Sequence, residues 1–315
     1  MKKIIIPFML LIIVIGGCNT MEKSDDNGKP VNGDTKLNNQ EGMNEYEKEN
    51  YVPVQDYIGE GYTLKGAREE TGEIAKEHRD EVEKAVEDFF VDEYKTEVNV
   101  HNFVSAKDGV SVFVESTGEP HFYSFAIVPV DIKNKEVKTD QVWSQEGQVE
   151  AAIQGGLYAM AFEEEFQNLE EYVEEITEDY PVVGRNIEGI ANVGGNGYTT
   201  PYYSVTPFSN VFDDLLDRYI ENPYMSKSEL KNFFEVNEFD RDKLTIIIEF
   251  FMSSEEDEPD SVLFNKITSD IEKMDTIPRG KYGITLNDNY IDKKRAIGTK
   301  DNSLELLYPN EILKE

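Results

Sequence analysis

EVNVHNFVSAKDGVSVFVESTGEPHFYSFAIVPV, residues 97–130, contains three runs dense in β-branched and aromatic residues, separated by short turn-forming stretches. Glu97 to Ala106 and Val110 to Ser116 flank Asp108-Gly109, a dipeptide suited to a tight turn because both residues tolerate positive φ. The two runs therefore predict a hairpin. His121 to Val130 is almost continuously apolar, the pattern of a strand buried on both faces, and is expected to be a central strand. This stretch alone specifies an antiparallel three-stranded sheet.

Helical patterns lie on either side of it. Ile74, His78, Val82, Val86, Phe89 and Phe90 recur at helical spacing and predict a helix from Gly72 to Tyr94. Val149, Ile153, Leu157 and Met160 mark a second helix. Phe166, Leu169, Val173 and Ile176 mark a third, ended at Tyr180-Pro181 because proline cannot continue it. Val193 to Thr206 reads as a glycine-bearing loop leading into an edge strand, since Pro201 has no N–H for a ladder. Helices follow at Val211 to Glu221 and Lys227 to Phe234, the latter opened by a Ser226–Glu229 capping box. Thr245 to Met252 is a buried strand or a short helix. Pro259 sits where a helix carrying Val262, Leu263, Ile267, Ile271 and Met274 would begin. Tyr282 to Leu286 and Tyr290 to Lys294 are expected to form a hairpin about Asn287, Asp288 and Asn289. The fold class is α+β: the antiparallel three-stranded sheet with flanking helices over residues 54–185, then a second α+β lobe over 186–315. The two lobes are either separate or one domain.

The N-terminus has a different character. Lys2 and Lys3 precede an apolar run from Ile4 to Ile15, then Gly16, Gly17 and Cys18. That is the layout of a signal peptide, and the run is shorter than the about 20 residues a membrane-spanning helix needs. Ile15-Gly16-Gly17-Cys18 resembles a lipobox. The resemblance implies diacylation of the Cys18 thiol and cleavage after Gly17, leaving a lipoprotein whose N-terminal cysteine carries diacylglycerol and palmitate-type chains. Cys18 is the only cysteine in 315 residues, so it has no disulfide partner. Two acyl chains anchor a protein stably where one does not. The expected localisation is the extracytoplasmic face of the cell membrane, with residues 1–17 as signal peptide and 18–53 as a lipidated, disordered tether. Asn19 to Asn50 is too polar to offset the entropy of ordering. As a flexible coil it would span about 30 Å.

The formal charge of −33 becomes −35 once Lys2 and Lys3 leave with the signal peptide. No basic stripe interleaved with aromatics is present, which argues against a nucleic-acid partner. Between Thr139 and Gly184 twelve Asp and Glu residues occur without a single Lys or Arg, the pattern of solvated acidic helices.

Four stretches resemble a known family: DYIGEGY from Asp56, SVFVESTGEPHFYSFAIVPVD from Ser111, VWSQEGQVEAAIQGGLYAMAFEEEF from Val142 and LNDNYIDKKRA from Leu286. They are similar to uncharacterised lipoproteins of staphylococci and bacilli, classed as a domain of unknown function. The similarity runs from the lipobox nearly to the C-terminus and implies a Gram-positive source. It implies no activity, ligand or catalytic residue.

With Cys18 acylated no free thiol remains for catalysis or zinc. The H-E-x-x-H, P-loop, G-x-S-x-G and EF-hand patterns are absent. No cofactor and no metal are expected, and the reading leans away from an enzyme. Three candidate sites remain. With a two-residue turn at Asp108-Gly109, Glu115 falls opposite Asn102 and His121 opposite Glu115, a carboxylate–imidazole set able to tune an acid or base; an ordinary cross-strand ion pair is the plainer reading. Tyr198, Tyr202 and Tyr203 in the glycine-bearing loop are candidates for stacking on sugars or peptides. Asp213-Asp214 and the acidic turn Glu255 to Asp260 offer oxygens for a hard cation without ligand spacing. The expected function is a binding or interaction module tethered at the cell envelope, its partner an envelope protein or wall component. The alternatives are a carboxylate/histidine-dependent envelope hydrolase and a cation-dependent structural lipoprotein.

Overall fold

A computed structural model describes residues 43–208 and 211–315. The expected signal peptide, with Gly17 and Cys18, and the expected tether up to residue 42 lie outside the described residues. Order starts earlier than the expected boundary at Val54. Asn44 caps helix α1 (Glu45–Asn50) in a reciprocal capping box with Glu47, and strand β1 (Tyr51–Pro53) pairs antiparallel with β11 (Tyr290–Asp292). Tyr46 adds a 2.9 Å hydrogen bond to Asp292. Local composition hides this order because the partners lie some 240 residues downstream.

Helices α2 (Glu69–Glu77) and α3 (Arg79–Tyr94) replace the single expected helix. The break falls at His78, whose N–H is shared between the carbonyls of Ile74 and Ala75. Ala75, Val82, Val86 and Phe90 on both pieces pack on one sheet. That sheet is built from β2 (Val98–Ser105), β3 (Gly109–Ser116), β4 (Tyr123–Asp131) and the two-residue β5 (Glu136–Val137), all antiparallel in that order. The expected three-stranded sheet is present, with a short fourth strand added. β4 lies inside the sheet, between β3 and β5, as expected, but it alternates buried and half-buried positions; the strand with almost every residue buried is β3.

Helices α4 (Gln148–Ala161) and α5 (Glu163–Asp179) follow, then β6 (Val182–Val183) and the short α6 (Ile187–Gly189), which runs into a π-helical turn, Ile190–Gly194. β7 (Tyr198–Thr199) and β8 (Tyr203–Pro207) form a hairpin with Pro201 in its turn, so the edge strand is β7. Helices α7 (Asp213–Glu221) and α8 (Lys227–Val236) come next, and the Ser226–Glu229 capping box forms as expected. Strand β9 (Leu244–Met252), helix α9 (Ser261–Lys273) and strand β10 (Gly280–Asn287) make a β–α–β unit with β9 and β10 parallel. Asp260, not Pro259, opens α9, its carboxylate accepting from the N–H groups of Val262 and Leu263. Together with β12 (Leu304–Leu306) and β13 (Ile312–Lys314) these strands form a mixed second sheet, ordered β12-β10-β9-β8-β7.

The hairpin expected at Asn287 to Asn289 does not form. β10 lies between β9 and the C-terminal strands, and β11 crosses to β1. Buried side chains turn the chain there. Asn287 donates to Glu249 at 3.1 Å, Asn289 donates to the Met252 carbonyl at 2.8 Å, and Asp288 pairs with Lys300. A segment whose polar groups bond inward in this way is a buried crossing, not a solvent-facing turn.

One apolar core holds Val112 and Val114 of the first sheet, Ile153 and Leu157 of α4, and Val205 and Ile246 of the second sheet. The two expected lobes thus share a core. Among the described residues no helix is long and apolar enough to cross a membrane.

Candidate functional site

Glu115 sits opposite Asn99, and Asn102 opposite Phe113, because the β2–β3 register differs from the expected one in two places. The connection is longer than a two-residue turn: Ser105 pairs with Val110, and the Ala106 N–H bonds the Gly109 carbonyl at 2.9 Å. A register shift between Val100 and Asn102 then leaves His101 as the extra residue of a β-bulge. Such an insertion re-aims a side chain. Here His101 Nε2 lies 2.9 Å from Glu115 Oε2. Asn102, the expected member of this set, is turned away and donates to the Asn192 carbonyl at 3.3 Å. The sequence carried a signal for the bulge: Val98, Val100 and Phe103 all face the same core, with spacings of two and then three.

His121 reaches the carboxylate from the other side, Nε2 to Oε1 2.9 Å. It does so from outside the ladder, where the cross-strand partner of Glu115 is Tyr123. Ser116 fixes this turn: its hydroxyl donates to the Pro120 carbonyl at 2.9 Å and accepts from the Phe122 N–H at 3.0 Å. Burial pushes the Glu115 carboxyl up, but hydrogen bonds from His121, His101 and Tyr123 outweigh it and hold the group below its usual value. An ionised carboxylate only accepts, so both imidazoles present N–H from Nε2. In the neutral ring, Nδ1 of His121 is then the basic nitrogen.

Two close backbone approaches bring this cluster to the tyrosine hairpin. Tyr123 and Gly197 exchange N–H···O bonds of 2.9 and 2.8 Å, bridging the two sheets. Helix α4 presents Gly155 and Gly156 to the junction. A Cβ at Gly156 would lie 2.7 Å from the His121 carbonyl oxygen, and one at Gly155 would lie 3.0 Å from that of Val205. The result is an open cleft of about 560 Å³ lined by His121, Tyr123, Phe166, Glu170, Tyr198 and Tyr203, among others. The rings of His121 and Tyr198 are 6.1 Å apart and perpendicular, and Phe166 lies 5.5 Å from Tyr198. Tyr198 is half-buried and offers ring area to the cleft, whereas buried Tyr203 forms its floor. Tyr202 does not line the cleft and packs instead on Phe250 at 5.8 Å. At the mouth Lys227 bridges Glu119 and Glu163 at 3.1 and 2.8 Å.

Glu170, not a candidate from sequence, lines the cleft along with Glu119 and Glu163. Burial raises its pKa, and a hydrogen bond from Tyr203 only partly opposes that. The native state therefore holds this proton more tightly than the unfolded chain does. Its contribution to stability is full at acid pH and is lost as pH rises through the folded-state pKa. Glu170→Gln removes the penalised charge and keeps an acceptor for Tyr203. It is expected to raise the Tm at pH 7 by about 1–3 °C, a gain that closes below the ordinary carboxylate value of 4.5. Thermal melts across pH would show a constant or inverted difference if Glu170 were not burdened in this way.

Among the described residues that line the cleft there is no serine or cysteine. Its aliphatic hydroxyls, those of Thr199 and Thr200, bond the main-chain carbonyls of Asn196 and Tyr203. Among the described residues no group of three or more His, Cys, Asp or Glu side chains is placed to hold a metal ion. In the acidic turn, Glu255 accepts from Tyr290, Glu258 accepts from Asn302 and Asp260 caps α9.

A family model described as "Protein of unknown function (DUF1672)" matches residues 44–314. The crystal structure of a DUF1672 family protein from Staphylococcus aureus subsp. aureus Mu50 is similar in fold, with a TM-score of 0.68 at 21% identity over 84% of this chain and 98% of that one. No curated protein matches.

Proposed function

The chain belongs to the DUF1672 family of proteins of unknown function, and from that premise we propose that it is a lipid-anchored binding module at the outer face of the cell membrane. Its ligand site is the cleft between His121 and Tyr198, and its ligand is a cell-wall component. The observation that carries the reading is that two candidate groups far apart in sequence line one cleft. Tyr198 supplies ring area for stacking. Glu170 and the His121 edge supply hydrogen-bonding partners for a polar ligand at the same place. The anchor rests on the lipobox-like Ile15-Gly16-Gly17-Cys18 and the lone cysteine.

Sedimentation of the full chain with purified cell wall tests the cleft. Wild type is expected to co-sediment, and Tyr198→Ala to bind about tenfold more weakly with folding intact, the loss of roughly 1.4 kcal/mol of stacking. Equal binding of the two proteins would remove the cleft from the account. The anchor has its own test: Cys18→Ala should move the protein from the membrane fraction to the medium.

A second reading rests on one further observation. Glu115 is held down and Glu170 up, and such a separation is how acid and base roles are divided in a catalytic site. A wall hydrolase of this kind would release soluble fragments, and both Glu115→Gln and His121→Ala would abolish release without unfolding the protein.

A further inference from the structure

The cleft already seats one primary ammonium. Lys227 is the only lysine or arginine among the described residues that line it, and its Nζ bridges Glu119 and Glu163 at 3.1 and 2.8 Å. With two carboxylates on it, this cation has no charge left for an anionic ligand. Glu170, two turns further along α5 than Glu163, lines the same cleft without such a partner. Its carboxylate accepts from the Tyr203 hydroxyl, Glu174 adds a like charge, and no cation among the described residues pairs with it.

Rings stand beside this unpaired carboxylate. Half-buried Tyr198 lies 5.5 Å from Phe166 at an angle of 60° and 6.3 Å from Tyr203 at 40°, with the His121 ring nearly perpendicular at 6.1 Å. Inclined rings next to a carboxylate suit an organic cation: the ring quadrupole attracts the charge, the carboxylate balances it, and both effects strengthen as water is excluded. A neutral sugar would also stack on Tyr198, but it would bury Glu170 further and leave its charge uncompensated. An anion would meet three carboxylates against one lysine.

We propose that the cleft recognises its wall ligand through a primary ammonium group, which lies against the Tyr198 ring with its charge met by Glu170. The inference rests on the cleft being the wall-binding site and adds what that site selects. Burial already penalises the Glu170 charge, and a cation beside it supplies the compensation that the fold does not. Two wall components carry such a group: a diamino acid of a wall peptide, through its side-chain amine, and an amino acid esterified to a wall polyol phosphate. Their shared chemistry is the ammonium, and mild alkali separates them by cleaving only the ester.

Sedimentation of the full chain with untreated, N-acetylated and alkali-treated cell wall tests the assignment. Acetylation is expected to weaken binding about tenfold. Glu170→Gln should weaken binding to untreated wall by about the same factor, although it is expected to be the more stable protein, so the loss is not one of folding. Glu164→Gln removes an exposed carboxylate of α5 outside the cleft; it is the control for overall charge and should bind as wild type does. Loss of binding after alkali would assign the ester-linked ammonium, and its retention the peptide amine. Equal binding to untreated and acetylated wall, or equal weakening by the two variants, would overturn the ammonium and leave the cleft as a wall site. If wild type sediments with no wall, the wall reading fails by itself. Calorimetry with Nα-acetyl-lysine methylamide and its Nε-acetyl derivative then decides the ammonium. Saturable binding of the first alone upholds it, and equal or absent binding up to about 10 mM overturns it.

Discussion

Tyr158→Ala is expected to lower the free energy of unfolding by about 4–5 kcal/mol, the range for emptying a large aromatic site. Tyr158 is fully buried on α4 and joins the elements that enclose the core. Its ring lies 4.7 Å from Phe162, 5.4 Å from Phe234 and 5.8 Å from Phe212, the last pair stacked at 9°. Its hydroxyl donates to the Arg279 carbonyl at 2.7 Å, tying α4 to the residue just before β10. Alanine would leave a void that the surrounding rings cannot collapse to fill, and would orphan that carbonyl. Tyr158→Phe keeps the rings packed and loses only the hydrogen bond, so it should cost about 1–2 kcal/mol. Denaturant melts of the two variants check both numbers. Near-equal losses would mean that the hydroxyl, not the ring, is what matters.

Gly156→Ala should destabilise the protein by about 2 kcal/mol, against the sign of helix propensity, which alone favours alanine by about 1 kcal/mol. The reason is backbone proximity. The new methyl would sit 2.7 Å from the His121 carbonyl oxygen and 2.9 Å from Cβ of Pro120. Neither can swing aside, because the Ser116 hydroxyl holds the turn at both Pro120 and Phe122. The strand end would be pushed off α4, moving His121 away from Tyr198, so wall binding should fall along with stability. Gly118, whose Cβ would meet nothing within 4 Å, is the matched control, and Gly118→Ala should change neither. A stabilised Gly156→Ala protein would show that the packing at this junction is looser than described.

Much of the fold is legible in short segments. Alternating and continuous apolar runs located β2, β3 and β4, and the Ser226–Glu229 box located the start of α8. What short segments hide depends on partners distant in sequence. β1 is ordered by β11, and β10 is parallel to β9 with no hairpin to β11. Asn287 to Asn289 look like a polar turn until Glu249 and Met252 are seen to bond them from the neighbouring strand. The site shows the same division. The Glu115–His121 contact agrees with the sequence reading but its strand spacing does not: Tyr123, not His121, stands opposite Glu115, His121 reaches the carboxylate from outside the ladder, and a bulge substitutes His101 for Asn102 as their companion. Tyr198 and Tyr203 stood out as a ring-rich loop, and Tyr202 faces elsewhere. That the two groups share one cleft follows from the Gly155-Gly156 pair, whose lack of Cβ atoms admits both backbones at once. Nothing in the sequence near either group announces it.

The chain contains three histidines, so the imidazole resonances of the full chain can each be assigned and followed while soluble wall fragments are added. His121 lines the cleft, His101 is joined to it through Glu115, and His78 lies at the break between α2 and α3 beside Glu81. A wall ligand seated in the cleft should shift the His121 signals most, those of His101 less and those of His78 not at all. Bound fragments that leave His121 unmoved, or that move His78 as far, would contradict the assignment of the cleft as the ligand site.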